Sequence, residues 1–590
     1  MRQGRVWRGA RTVALLVPMV MTLVWAGAEA VSAATLTVCP SGCQYSQIGP
    51  AVAAAHSGDT IEVGPGTYQG GITIDVSVRL AGAGAGSTII RGGDHVLTIG
   101  AFGASSEPAV SISGVTITGG VARSSPVSEA LFGVPGLWAG GGGVEIPPQA
   151  TPPDAPPVDG ATVTISDSVI TGNRADPERA VSTAELSPPC PGGPCPFAAA
   201  VGGGIESWGR LTLVNTAVSD NTVGPAAGLP ALPSDSDAAG ILSAQGSLTM
   251  TSTTVSGNRA IAAAPNGRFA EGGAVYAGLF FAGSDTVTIR NSSLTGNSAS
   301  LTTNLPKFAD GQLIGLNANA GAIHVGDGVP TTIDGTVITG NSASADGPRG
   351  EADAIDAAMN VGDSPLTIRD STISGNRLTD NLATNADSGS DGSAVEADGG
   401  GIISNTRITG NTVTVVSPNG VAGNAGAGLA AFNNEARLLT VSDSVISGNT
   451  AIARTSTGSA TVTGVGILNE SLLTLDNVVI SGNNGMATGP SGTAQGGGIW
   501  NSTDFSGPVQ LTLDNTTITS NSLTGSPGIT LQGGGLFTTL PVTLHDSVIA
   551  GNTPGQCFGC ADATAPAAGS RTSLTPARAR EGSGPISPGR

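Results

Sequence analysis

A phrase of the form VITGN recurs eleven times in this chain, and that recurrence limits what the chain can fold into. It reads VITGN at Val169–Asn173, AVSDN at Ala217–Asn221, TVSGN at Thr254–Asn258 and SLTGN at Ser293–Asn297. Seven further copies end at Asn341, Asn376, Asn411, Asn449, Asn483, Asn521 and Asn552. An earlier variant, VTITGG at Val115–Gly120, carries Gly in place of the final Asn. Successive asparagines stand 31 to 48 residues apart. Self-similarity at that period means an array of small units, none able to bury its apolar face alone.

Each unit has the same internal order. A glycine cluster with an apolar residue comes first, as in Gly141–Val144, Gly202–Ile205, Gly496–Ile499 and Gly533–Leu536. An alternating triplet follows, such as Leu211-Thr212-Leu213, Val287-Thr288-Ile289 or Leu473-Thr474-Leu475. Then come the Asn phrase and a variable stretch. Alternation over three to five residues is strand periodicity, and the Gly, Asn and Thr content opposes helix. Three short strands per unit make one rung of a coil. The reading is all-β: a single-stranded right-handed parallel β-helix with a short N-terminal capping helix. With neighbouring rungs about 4.8 Å apart, roughly 13 to 15 rungs give a rod about 60–70 Å long.

Within that rod Ile170, Ile338, Ile373, Ile446, Ile480 and Ile518 should stack along the interior. The repeated Asn should fall at the turn that follows, its amides bonded from rung to rung. Asn tolerates left-handed backbone, which would account for Gly at position 120. These asparagines are expected to be structural, not catalytic. Composition agrees: 90 of 590 residues are Gly, with 3% aromatic and 11% charged, which suits a thin solenoid with tight turns.

Residues 1–34 read as an export signal, with Arg2, Arg5, Arg8 and Arg11 before the apolar stretch Thr12–Trp25. That stretch is too short for a comfortable membrane span, and no span is expected in the mature chain. Removing it takes away four Arg and Glu29 and moves the net charge from −19 to about −22. Such an acidic exterior disfavours nucleic acid and anionic membranes. The six cysteines fall in three close pairs: Cys39 with Cys43, Cys190 with Cys195, and Cys557 with Cys560. Local disulfides are the natural reading in an exported chain; a metal would need four ligands gathered from positions far apart along the rod. The divisions are then 1–34 signal, 35–95 cap and first rungs, 96–560 β-helix repeats with long loops on one side, and 561–590 a disordered tail.

The segment Ser46–Ala55 can form a short helix and is followed by DTIEVGPGTY at Asp59–Tyr68. Here the chain resembles the pectin-lyase-like β-helix superfamily, whose members often begin with an IxxAVxxAxxGDTIxVxPGTY stretch. The TISGN repeats resemble those of bacterial β-helix repeat proteins, including polymorphic outer-membrane-protein-type repeats. The resemblance covers roughly residues 35–555 and implies a fold, but not an activity, because the superfamily mixes lyases, hydrolases, esterases, epimerases and non-catalytic surface proteins. Lyases of the superfamily pair an Arg or Lys base with acidic calcium ligands; here Lys307 is the only lysine. The Gly-His-Gly and Arg-Ile-Lys phrases of its polygalacturonases do not occur. The nearest match to its pectinesterase phrase, Thr503–Gly507, lacks the flanking glycine, and Asp94-His95 lacks the epimerases' tyrosine phrase.

No catalytic or cofactor-binding residue is therefore assigned from sequence. His545-Asp546-Ser547 looks like a triad in a line, but neighbours in a strand face opposite ways. Calcium is the one metal with a candidate loop: Asp387, Asp391 and Asp398 occupy positions 1, 5 and 12 of an EF-like stretch with Gly392 at position 6, although no Glu supplies the bidentate ligand. A plain acidic, glycine-rich loop is the competing reading. Outward Thr residues recur at Thr164, Thr212, Thr249, Thr288, Thr367, Thr474, Thr512 and Thr543. The expectation is a secreted, possibly surface-retained scaffold without catalysis, meeting a polysaccharide, surface glycan or protein through its loops in adhesion. The alternative is a divergent polysaccharide lyase or glycoside hydrolase, with or without dependence on calcium.

Overall fold

The computed structural model describes residues 33–560, leaving aside 105–106, 124–137, 150–159, 178–197, 225–233, 264–266, 279–284, 303–307, 310–311, 314–316, 348–352, 356–358, 383–386, 389–392, 424–425, 433–436 and 504–506. Residues 1–32, which make up most of the expected export signal, lie outside the described residues, as do Lys307, Asp391 and residues 561–590. So do Cys190 and Cys195, and the disulfide expected between them is not among the bonds the structure describes. The chain winds as a parallel β-helix. Three long sheets of 15, 14 and 14 strands run the length of the rod, each strand paired in parallel with its counterparts on the neighbouring coils.

One rung shows how the repeat becomes a coil. Thr162–Ser166 lies in the 15-stranded sheet and Val169–Thr171 in the sheet of the Asn phrase. Ile205–Ser207, after its glycine cluster, lies in the third sheet, and Arg210–Val214 begins the next turn. Register is kept by alternation: Val163 and Ile165 pair with Leu211 and Leu213, and Ile170 pairs with Val218. A slip by one residue would turn each such side chain from the core to the surface. The interior is a continuous apolar column in which Ile170, Ile338, Ile373, Ile446, Ile480 and Ile518 are essentially inaccessible. Burying each contributes about 1.5–3 kcal/mol before ordering costs.

The repeated asparagines form an amide ladder. Asn376 donates through Nδ2 to Ile338 O at 3.1 Å and to Asn411 Oδ1 at 3.0 Å. Its own Oδ1 accepts from the backbone N and the Nδ2 of Asn341, both at 3.0 Å. The same pattern runs from Asn173 to Asn552, where Gln556 Oε1 accepts the last two donors at 3.0 and 3.1 Å. The sequence expectation needs one correction. Left-handed backbone belongs to the residue before each Asn, as at Gly172 (φ 64°) and Asp220 (φ 54°), and not to the Asn itself. Gly120 is Gly for a different reason: a Cβ there would lie 1.8 Å from Gly142 O on the neighbouring coil.

A second ladder marks the corner between the first two sheets. Asp167, Asn215, Asn291, Asp370, Asn405, Asp443, Asn477, Asn515 and Asp546 all adopt positive φ there. The Ser or Thr that follows is buried along most of this row, and Thr336 N donates to Ser371 Oγ at 3.1 Å as Thr406 N does to Ser444 Oγ. Backbone groups that cannot reach a strand partner at the corner are satisfied this way.

The long loops do not simply project from one side. After the Asn phrase the chain adds further strands, such as Arg174–Ala175 and Ala198–Val201, before returning to the glycine-cluster sheet. These stack into an 11-stranded sheet, a 6-stranded sheet from Trp138–Gly140 to Asp353–Ile355, and a 5-stranded sheet toward the C-terminal end. A second core, with Ala299, Leu301, Leu378, Val413, Ala460 and Val462 among its members, fills the space between them. Trp138, Ala199 and Val201 of the 6-stranded loop sheet pack with Leu242 and Tyr276 on the outer face of the glycine-cluster sheet. The rod therefore carries a loop layer along one flank.

At the N-terminal end the helix Ile48–Ala54 buries Ile48, Ala51 and Val52 against the first coil. Pro50 sits in its first turn, where no intrahelical N–H is needed. Among the described residues, Cys39 is bonded to Cys43 beside the first strand, and Cys557 to Cys560 at the last, as expected. No helix among the described residues is long and apolar enough to cross a membrane.

Candidate functional site

Charged and aromatic side chains collect where the loop layer meets the glycine-cluster sheet. The central residue of each strand in that sheet points away from the rod core, and register aligns Glu145, Glu206, Leu242, Tyr276, His324, Asn360 and Glu396 on successive coils. From the loop sheet, Asp237 stands in register with Glu271, in a row that runs from Val201 to Asn319, while Asp235 on the same strand follows Ala199. The result is a polar strip enclosed between two sheets.

Its best-defined part holds two carboxyls. His95 Nε2 lies 2.8 Å from Glu145 Oε2, and its Nδ1 lies 3.0 Å from Gly141 O. Both ring nitrogens thus face acceptors, the arrangement that suits an imidazolium. Burial alone would lower the His95 pKa. The charge and hydrogen bond of Glu145, the Gly141 carbonyl and Asp94 overcome that and raise it to about 9. Glu206, one coil along, accepts from Trp138 Nε1 at 3.0 Å and Trp208 Nε1 at 2.8 Å, both through Oε1. Burial, then repulsion from Glu145, push its pKa up to about 8, against the two indole bonds and the nearby His95 charge. At neutral pH Glu206 holds its proton and His95 is charged. Two neighbouring carboxyls with such different surroundings could divide acid and base roles. They are, however, 1% and 0% exposed.

A second group lies further along. Tyr276 and His324 meet edge to face at 4.5 Å between ring centroids, and His324 Nε2 is 4.0 Å from Glu271 Oε2. Burial first, then Glu271, Asp237 and Asp235, hold the Tyr276 hydroxyl well above its usual pKa. Toward the C-terminal end the same register position turns aromatic: Trp500 and Phe537 stack at 6.3 Å, and Phe537 and Phe558 at 5.3 Å.

The residues singled out from sequence fall elsewhere. Asp387 lies in the short strand Asp387–Ser388 of the 5-stranded loop sheet, and Asp398 just after Val395–Ala397 in the glycine-cluster sheet. Among the described residues no group of three or more His, Cys, Asp or Glu is placed to hold a metal ion. His545 is exposed and stands in register with Asp514. His56 is 80% exposed at its side chain. Glu145, Glu206, Trp138 and Trp208 escaped the sequence reading. A signal was present, since the residue after several of the glycine clusters and their apolar neighbour is Glu145, Glu206, Tyr276, His324, Trp500 or Phe537.

The two raised pKa values act in one direction on stability. For His95 the contribution is complete below its ordinary 6.5 and is lost as pH rises toward about 9. For Glu206 the folded state holds a proton that the unfolded chain releases near 4.5, so stability falls as pH rises from there to about 8. Thermal melts between pH 5 and pH 9 should show a midpoint that declines with pH, and His95→Gln should flatten the part above pH 6.5. An unchanged slope in that variant would remove His95 from the account. Comparison with family models, curated proteins and solved structures returned no match to this chain.

Proposed function

We propose that this protein is a secreted or cell-surface β-helix scaffold without catalysis, which serves adhesion by contact with a glycan. In this reading it would resemble the non-catalytic bacterial members of the pectin-lyase-like group. One observation carries the reading: the partly exposed strands present rows of hydroxyls at constant register. Thr171, Ser219, Ser256, Thr295, Thr339, Ser374, Thr409, Ser447, Ser481 and Thr519 occupy one such row. Thr164, Thr212, Thr249 and Thr288 occupy a second on the neighbouring sheet. Regular donors and acceptors at a fixed repeat suit a regular, hydroxyl-rich polymer, and contact with the loop layer would add selectivity.

A specific observation supports the second reading, a polysaccharide lyase or hydrolase. Carboxyls from neighbouring coils do come together at Glu145 and Glu206, with His95 beside them. Their burial weighs against it, because a polymer has to reach the groups that act on it.

One experiment addresses both. The mature protein is incubated with plant, algal and bacterial polysaccharides, with and without calcium, while binding and chain cleavage are both measured. The scaffold reading expects retention on at least one polymer and no products. The triple variant Thr339→Val, Ser374→Val and Thr409→Val should then weaken binding at least tenfold with an unchanged melting midpoint. Cleavage products that vanish in Glu145→Gln would replace the scaffold with the enzyme.

A further inference from the structure

The Glu206 carboxyl joins two bodies. Trp208 follows it on the rod, whereas Trp138 belongs to the first strand of the 6-stranded loop sheet, and both indoles donate to Oε1. The tryptophan rings lie 6.4 Å apart between centroids. The other oxygen, Oε2, is buried and has no hydrogen-bond partner among the described residues. Gly140 of the same loop strand lies directly over it: a Cβ at that position would stand 1.8 Å from Oε2. No side chain could separate the strand from the carboxyl.

We infer that the Trp138–Glu206–Trp208 bridge is a proton-controlled latch that holds the start of the loop layer against the rod. With a proton on the carboxyl, a neutral group is buried and the indole bonds tie layer to rod. When hydroxide removes that proton, forming water, a charge is left on a carboxyl whose Oε2 has no donor. It also stands one coil from Glu145, in register with it. Burying an unpaired charge is costly, and the least costly relief is to let water in by lifting the strand above.

Among the described residues, the groups facing this carboxyl are few. Glu145 lies on the preceding coil with His95 and Asp94 beyond it, and the next coil places Leu242 at the equivalent position. On the loop sheet the next strand presents Ala199 and Val201, and Asp235 and Asp237 follow one strand later. His95 partly offsets Glu145, but burial and Glu145 prevail and raise the Glu206 pKa to about 8, so the closed state weakens as pH rises toward that value. Opening there would expose the carboxyls and tryptophans of the strip to solvent.

The test is hydrogen exchange read by mass spectrometry on the full chain from pH 6 to pH 10, corrected for the base-catalysed intrinsic rate. Segments 138–146 and 198–208 should lose at least tenfold in protection as pH rises from 6 to about 8, and level off above it. The coils around Asn376 should stay protected. Glu206→Gln keeps both indole acceptor bonds but cannot ionise, and should keep those segments protected to pH 10. Glu145→Gln removes the repulsion that raises the Glu206 pKa, so the loss of protection should be smaller and should level off at lower pH. Wild-type protection that is flat with pH would overturn the latch. So would a Glu206→Gln protein equally loosened at every pH, since the bridge would then be merely structural. If that variant does not fold, the Glu145→Gln arm decides: a loss as large as that of the wild type, levelling off at the same pH, would also overturn it.

Discussion

Asn376→Ala should lower the stability of the rod by about 3–5 kcal/mol, near the top of the range for a single substitution. The side chain is 1% exposed and each of its polar atoms is in use. Truncation strands the backbone N and the Nδ2 of Asn341, which donate to Asn376 Oδ1, and Ile338 O, which accepts from Nδ2. A buried polar group left without a partner costs about 1–3 kcal/mol, and water has little room to enter between coils. Asn376 Nδ2 also supplies a donor to Asn411 Oδ1, so the break reaches three coils. Because a solenoid's stability is nearly a sum of local terms, exchange protection should fall first around residues 338–411. Calorimetry and hydrogen exchange check this together. Glycan retention should survive below the melting transition. A variant within about 0.5 kcal/mol of wild type would mean that the amide ladder contributes little.

Gly120→Asn should also be strongly destabilising, although it restores the residue found at the other eleven positions. Substitution toward the majority residue ordinarily gains about 0.5–2 kcal/mol. Here the neighbouring coil forbids it: the new Cβ would be 1.8 Å from Gly142 O and 2.9 Å from Val96 Cγ2. Backbone would have to move, and overpacking of this kind costs about 1–3 kcal/mol and sometimes more. Gly120 already does the part of the ladder's work that needs no side chain, its N–H donating to Asn173 Oδ1 at 3.1 Å. Gly120→Ala should share the penalty, since the clash begins at Cβ. A raised melting midpoint in Gly120→Asn would show that the two coils can separate without loss.

Both predictions rest on residues that the repeat itself brings to notice, yet only the first could be reasoned from the repeat. The VITGN phrase tells how Ile373 and Asn376 are used because every copy repeats the same contacts. Gly120 departs from the pattern, and backbone tolerance looked a sufficient cause until the Gly142 carbonyl was found beneath it. Likewise Asp387, Asp391 and Asp398 drew attention as a linear spacing. Glu145 and Glu206, 61 residues apart in the chain, did not.

Sequence alone determined the coil. Alternating apolar residues at a period of 31 to 48 leave stacking of rungs as the way to bury the inner face of each strand, and constant register then places Asn on Asn. These are local patterns multiplied by translation, so a reader of one repeat can foresee the rest. Only the tertiary structure decided what the variable stretches do. They share little wording, and what brings Trp138 onto Glu206 is the backbone pairing of loop strands across coils, with Gly140 small enough to let the layers close. The acid, base and aromatic groups of the strip become neighbours through that closure, and no spacing along the chain encodes it.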